Sequence, residues 1–142
     1  MIVSLVQLVA GVTVMFGPCP EYMPAQHFSC YYPTENTIYL LPEDQRDPEH
    51  WTLLHEYGHA YDFQVLKRAD RLRFRRVMGY TPTRRWWDSK VRFSDRGDSL
   101  SPGEAFAENY AACAGGFWWP NARRFCRLLP PSSFALWLRA AL

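Results

Sequence analysis

Residues 1–16 are almost entirely apolar, and the end of that stretch, Val12-Thr13-Val14-Met15-Phe16, predicts a short buried strand after a brief leading segment. Pro18, Pro20, Pro24 and Pro33 then punctuate a loop. A second strand is predicted over 36–41, where Thr37-Ile38-Tyr39-Leu40 favours β structure and Pro42 closes it. The next signal is a helix start: Asp47 can cap, Pro48 suits the first helical position, and Glu49 complements the positive end of the dipole. From there a helix is predicted to about residue 67, apolar nearly all round and therefore central and buried. Residues 68–100 mix arginines, aromatics and turn formers, and predict only a short helix at 72–77. Ser101-Pro102 opens a further helix that Gly115-Gly116 stops. Short helices over 121–128 and 133–140 complete the pattern.

With 142 residues and no repeat or long linker, the pattern describes one domain over 1–142. Its expected class is α+β, with a small sheet before the central helix and a mainly helical C-terminal half. A hydrophobic fraction of 48% suits a packed core and excludes disorder. The apolar start is short for a membrane span and lacks the basic n-region of a secretory signal, so no stable span is expected.

The formal charge of +2 gives no case for a polyanionic partner. Lys67, Arg68, Arg71, Arg73, Arg75 and Arg76 do cluster, and they read as a solvated helix face rather than a nucleic-acid patch, so no nucleic acid is expected as a partner. The four cysteines form two local pairs, Cys19 with Cys30 and Cys113 with Cys126. Disulfides there would place the chain outside a reducing cytosol, whereas the missing n-region points to the cytoplasm; the localisation stays open between them.

His55-Glu56-Tyr57-Gly58-His59 lies inside the predicted central helix. Residues four apart on a helix are about 40° apart around its axis, so two imidazoles can converge on one tetrahedral zinc. Glu56 stands about 60° further round, beside the metal rather than on it, where a general base takes a proton from a zinc-bound water. As mere core residues, two histidines and a glutamate in a buried helix would be costly. The motif is therefore read as a site for one Zn²⁺ per chain, with His55 and His59 as ligands and Glu56 as catalytic base. His27 and His50 carry no such pattern and read as loop or surface residues.

A catalytic zinc keeps three protein ligands and one open position. The extended form of the motif needs Gly at 62 and His at 65, but the chain has Asp62 and Val65. Glu104 and Glu108 instead share a face of the later helix, flanked by Ala107, Ala111 and Gly115. Those small residues, with Gly58 opposite, would let the two helices approach closely enough to share a metal. Ser101-x-x-Glu104 is also a capping-box pattern; if Glu104 bonds back to Ser101, Glu108 becomes the ligand. Otherwise Glu108 holds a histidine from behind. Asp62 is expected to support the metal face, Cys113 faces away from it, and Cys30 would be a ligand only in a deformylase-like arrangement.

These two segments resemble the gluzincins, zinc metallopeptidases whose third ligand is a glutamate on a later helix. Leu54-His55-Glu56-Tyr57-Gly58-His59-Ala60-Tyr61-Asp62 and Glu104-Ala105-Phe106-Ala107-Glu108 look like the paired helices of minigluzincins and of the anthrax lethal factor catalytic domain. The resemblance implies a zincin-like fold, with Glu104 on the metal and Glu108 supporting a histidine. The segment from Cys30 to Leu40 resembles the edge strand before the active-site helix of small actinobacterial and phage metallopeptidases, which holds substrate by backbone pairing. The Glu104 segment is also similar to the ImmA/IrrE group of repressor-cleaving proteases.

The expectation is thus a monomeric zinc-dependent endopeptidase acting on a peptide or protein substrate. Tyr80 and Tyr110 are the candidates for oxyanion stabilisation. Trp86-Trp87 and Phe117-Trp118-Trp119 read as core or as an apolar substrate pocket. Two rivals are a non-catalytic zinc-binding domain that binds a protein partner and an ImmA-like repressor-cleaving protease.

Overall fold

The computed structural model describes residues 11–20, 28–87 and 101–115. Among them are three strands, β1 (Thr13–Phe16), β2 (Cys30–Tyr32) and β3 (Thr37–Leu40), and three helices, α1 (Trp51–Gln64), α2 (Arg68–Met78) and α3 (Pro102–Gly115). A 3₁₀ turn, Asp44–Arg46, leads from the sheet towards α1. The class is α+β, and no described helix is long and apolar enough to cross a membrane. The predicted helices at 121–128 and 133–140, the Phe117-Trp118-Trp119 cluster and His27 lie outside the described residues.

β3 is the middle strand, parallel to β1 and antiparallel to β2. Its β-branched and aromatic residues fit the half-buried surface of a sheet, and Ile38 is fully enclosed. β1 departs from the expected buried strand. Among the described residues it is an edge strand, with Met15 50% and Phe16 67% exposed. Apolar composition does not reveal whether a strand gains a second neighbour.

The segment from Cys30 to Leu40 is a hairpin rather than one edge strand: its Thr37–Leu40 half is central and Cys30–Tyr32 is the edge. Asn36 turns the hairpin in the left-handed conformation, φ 51°, which Asn tolerates better than most residues. Its side-chain oxygen accepts the Tyr31 hydroxyl at 2.8 Å. The Cys19–Cys30 disulfide ties the chain after β1 to the first residue of β2, Cα to Cα 6.0 Å. Cys113 is also disulfide-bonded, and its expected partner Cys126 lies outside the described residues.

α1 starts later than predicted, at Trp51, because Pro48 sits in a turn that ends at His50, itself left-handed with φ 53°. Asp47 still satisfies the helix start from outside: its carboxylate accepts the Trp51 N–H at 2.8 Å and the Glu49 N–H at 3.0 Å. The helix ends at Gln64 rather than near 67, because Lys67 caps the next one, its N–H donating to Asp70 at 2.9 Å.

α2 is longer than the predicted 72–77 helix and ends at Gly79, left-handed with φ 76°. Its cations are not all solvated. Arg71 ion-pairs with Asp62 at 2.8 Å, and Arg71 and Arg75 both lie over the Trp86 ring.

The contact that matters for function is α1 against α3. Their facing surfaces carry Gly58, Ala107 and Tyr110, and a Cβ placed on Gly58 would come within 2.8 Å of the Ala107 Cα. Glycine is what allows the backbones to meet this closely.

Candidate metal centre

α1 and α3 each present one side of the site. Positions 55 and 59, one helical turn apart, aim both imidazoles at α3, and their Nε2 atoms lie 3.0 Å apart. Glu104, in the first turn of α3, answers with both carboxylate oxygens: Oε2 is 3.3 Å from His55 Nε2 and Oε1 is 3.5 Å from His59 Nε2. Ligand atoms of His55, His59 and Glu104 all fall within 4.8 Å of one another. This group could bind a metal ion. Two unprotonated imidazole nitrogens facing each other at hydrogen-bond distance repel, so the arrangement calls for a proton or a cation between them.

Capping and metal contact were alternatives for Glu104, and the structure divides them between backbone and side chain. The Glu104 N–H approaches the Ser101 hydroxyl at 3.4 Å, while the Glu104 carboxylate turns to the histidines. Glu108, one turn later, comes within 3.2 Å of His55 Nδ1 without the alignment of a hydrogen bond. It thus stands behind His55, on the ring edge opposite Glu104.

The electrostatics follow from burial and from these partners. Burial opposes a charge on His55, but Glu104 and Glu108 more than offset it and hold the imidazolium up to a pKa of about 10. Burial also opposes the Glu104 carboxylate, yet the two histidines win and keep it far below the usual carboxylate range. Without metal, the site is therefore an imidazolium–carboxylate pair.

Glu56 is 6% exposed and lines the same cavity as that pair. Its Oε2 accepts the backbone N–H of Tyr31 in β2 at 2.6 Å. Burial pushes its pKa up, and the neighbouring histidines and the Tyr31 amide only partly oppose this.

The site opens into a cavity of about 290 Å³. His55, Glu56, His59 and Glu104 line one side of it, and Phe28, Tyr31, Pro33, Phe63 and Trp87 line the apolar side. Trp87 lies 5.2 Å from the His59 ring and 5.6 Å from Phe63, so it walls both the metal group and the cavity. The two tryptophans thus divide: Trp87 faces the cavity and Trp86 is core, packed edge-on to Phe74. A second hollow of about 190 Å³, on the side of Asp44, Trp51 and Glu108, shares His55 and Glu56 with the first.

Two sequence expectations do not hold. Asp62 does not support the metal face: it is fully buried and binds the Trp86 indole N–H at 2.7 Å and Arg71 at 2.8 Å. Neither Tyr80 nor Tyr110 lines the cavity, and Tyr110 lies in the α1–α3 core, 1% exposed. The expected Cys19–Cys30 pair is formed, so Cys30 offers no thiolate to the metal group.

Sequence reading missed the Tyr31 amide. A backbone donor carries no residue signature, and the only clue was a strand placed shortly before the motif helix. No family model, curated protein or solved structure matches the chain.

Proposed function

We propose that the chain is a gluzincin-type zinc peptidase in which His55, His59 and Glu104 hold the metal and Glu56 is the general base. One observation carries the reading: three metal-binding side chains converge with a fourth, buried carboxylate beside them at the wall of an open cavity. The donor set fits zinc. Zinc bonds of about 2.0–2.2 Å to nitrogen and oxygen in a tetrahedron set ligand separations of roughly 3.3–3.5 Å. The separations here are 3.0, 3.3 and 3.5 Å. Two imidazoles and one carboxylate also leave the open position that a catalytic zinc requires.

Bound zinc supplies a Lewis acid for the scissile carbonyl and brings the pKa of water to about 7. The chain does the rest. His55 gives up its proton to become a ligand, and Glu108 stays against its Nδ1 to fix the ring. Glu56 takes the proton of the attacking water on its carboxylate and delivers it to the leaving amine. Phe63 and Trp87 keep the cavity apolar beside the reacting bond, which strengthens each charge interaction there. The cavity suits a peptide with a bulky apolar side chain next to the cleaved bond.

The test is cleavage of a mixed peptide library by zinc-loaded protein, with Glu56→Gln as the paired variant. The reading expects cuts by the wild type, and a loss of at least about 10²-fold in the variant at unchanged zinc content. Equal cleavage by both proteins would remove Glu56 as the base.

A further inference from the structure

β2 is the strand nearest the metal group, and its outer edge faces the cavity. In an antiparallel pair, successive residues point their N–H and C=O alternately into and out of the ladder. Tyr31 donates its N–H to Glu56, so it is an outward residue, and the next position on that edge is Pro33. Pro33 has no N–H, and its carbonyl accepts from Asn36 at 3.2 Å within the hairpin turn. A peptide strand laid along this edge from Tyr31 to Pro33 would therefore meet one amide that is already bonded and one that does not exist, and only the Tyr31 carbonyl would face it as an acceptor.

Several contacts hold Tyr31 where it is. Cys30, the residue before it, is cross-linked to Cys19. The Ser29 hydroxyl accepts the Leu41 N–H at 2.9 Å and donates to Asp44, whose other oxygen takes the Thr52 hydroxyl of α1 at 3.1 Å. On the far side the Tyr31 hydroxyl is fixed to Asn36. The amide is thus clamped to the sheet and to the helix that carries Glu56.

We propose that the Tyr31 amide on the edge of β2 serves the base rather than the substrate: it is the positioning group of Glu56, and bound substrate does not take that N–H. The role of Glu56 in this statement rests on the peptidase reading, but the contact itself does not. Holding Oε2 on the amide leaves Oε1 as the oxygen that meets the water. A carboxylate on a freely rotating side chain would spend most of its time elsewhere, and the loss would appear in turnover rather than in substrate affinity.

Two measurements test it. The first is the ¹⁵N–¹H spectrum of zinc-loaded wild type and Glu56→Ala, with and without a peptidyl hydroxamate. The Tyr31 amide proton is expected far downfield in wild type, to move upfield in Glu56→Ala more than any other β2 amide, and to keep its wild-type shift when the hydroxamate binds. An amide indifferent to Glu56→Ala overturns the contact. An amide that leaves Glu56 for the bound peptide overturns the claim that this N–H is reserved for the base.

The second is Tyr31→Pro, which deletes the N–H at an edge position where proline is tolerated. It should lower kcat by about tenfold or more while KM and zinc affinity stay unchanged. A rise in KM at constant kcat would assign the amide to substrate instead. Should the variant not fold, the spectrum decides alone. Failure of wild type to cleave any peptide would count against the peptidase reading and leave the spectral result standing.

Discussion

Gly58→Ala probes the helix contact on which the site depends. Taken alone, the substitution favours an α-helix by about 1 kcal/mol. Here the new Cβ would lie 2.8 Å from the Ala107 Cα, 3.0 Å from the Tyr110 Cβ and 3.1 Å from the Ala107 carbonyl oxygen. Carbon atoms in contact prefer about 3.5–4.0 Å, so α1 and α3 must separate by roughly 0.7 Å or more. Two of the three obstacles are backbone atoms, and no rotamer change can relieve them. Overpacking of this kind costs about 1–3 kcal/mol, which outweighs the propensity gain in all but the mildest case. The expected result is a net loss of up to about 2 kcal/mol, or a fall of up to roughly 8 °C in Tm. The same separation carries Glu104 away from His55 and His59, where the contacts now measure 3.3 and 3.5 Å. Zinc affinity should drop by about tenfold or more. Thermal unfolding by circular dichroism and competition with a chromophoric chelator read the two effects separately. A variant that is more stable by the propensity alone, with unchanged zinc affinity, would refute the close packing of α1 on α3.

Two further outcomes follow from buried charges. In the metal-free protein His55 keeps a proton until about pH 10, and a metal on its Nε2 must displace that proton. Binding should therefore release about one proton from His55, and affinity should rise about tenfold per unit between about pH 7 and about pH 9. Calorimetry in buffers of different ionisation enthalpy measures the proton directly, and affinity independent of pH over that range would contradict the pairing of His55 with Glu104. Asp62→Ala removes the carboxylate that accepts from Arg71 Nε and from the Trp86 indole N–H, leaving Arg71 only the backbone carbonyl of residue 62 at 3.1 Å. Because Arg71 is 31% exposed, the cost should fall below the full value for a buried pair, at about 2–3 kcal/mol in chemical unfolding. The folded fraction should bind zinc as wild type does, and a specific loss of metal would return Asp62 to the site.

Much of this architecture is written locally. The Ser101-Pro102 start of α3 is a signal carried by the residues at the boundary itself, and the structure begins the helix there; Gly116, expected to help stop it, lies outside the described residues. The spacing of His55 with His59 and of Glu104 with Glu108 rests on helical periodicity alone, so the faces they share are legible without any tertiary knowledge. The small residues Gly58 and Ala107 announce a close approach for the same reason.

What failed depends on distant partners. Asp62 sits on the histidine side of α1 in sequence, but its bonds go to Trp86, 24 residues on, and to Arg71. α2 looked short because its arginines read as solvent-facing, whereas Phe74 beneath them is buried against Trp86 and Phe106. β1 is apolar yet lies at an edge among the described residues, since a strand's neighbours are a property of the whole sheet. β2, only three residues long, falls below the length at which alternation can be seen.

The central claim is that His55, His59 and Glu104 form one metal site whose function passes through Glu56. The measurement that meets it most directly is zinc content per chain for wild type, Glu56→Ala and Glu104→Ala, with peptide cleavage followed on the same samples. The account predicts about one zinc in wild type and in Glu56→Ala, cleavage in wild type alone, and loss of metal from Glu104→Ala. A wild-type protein that cannot be loaded with zinc would contradict it.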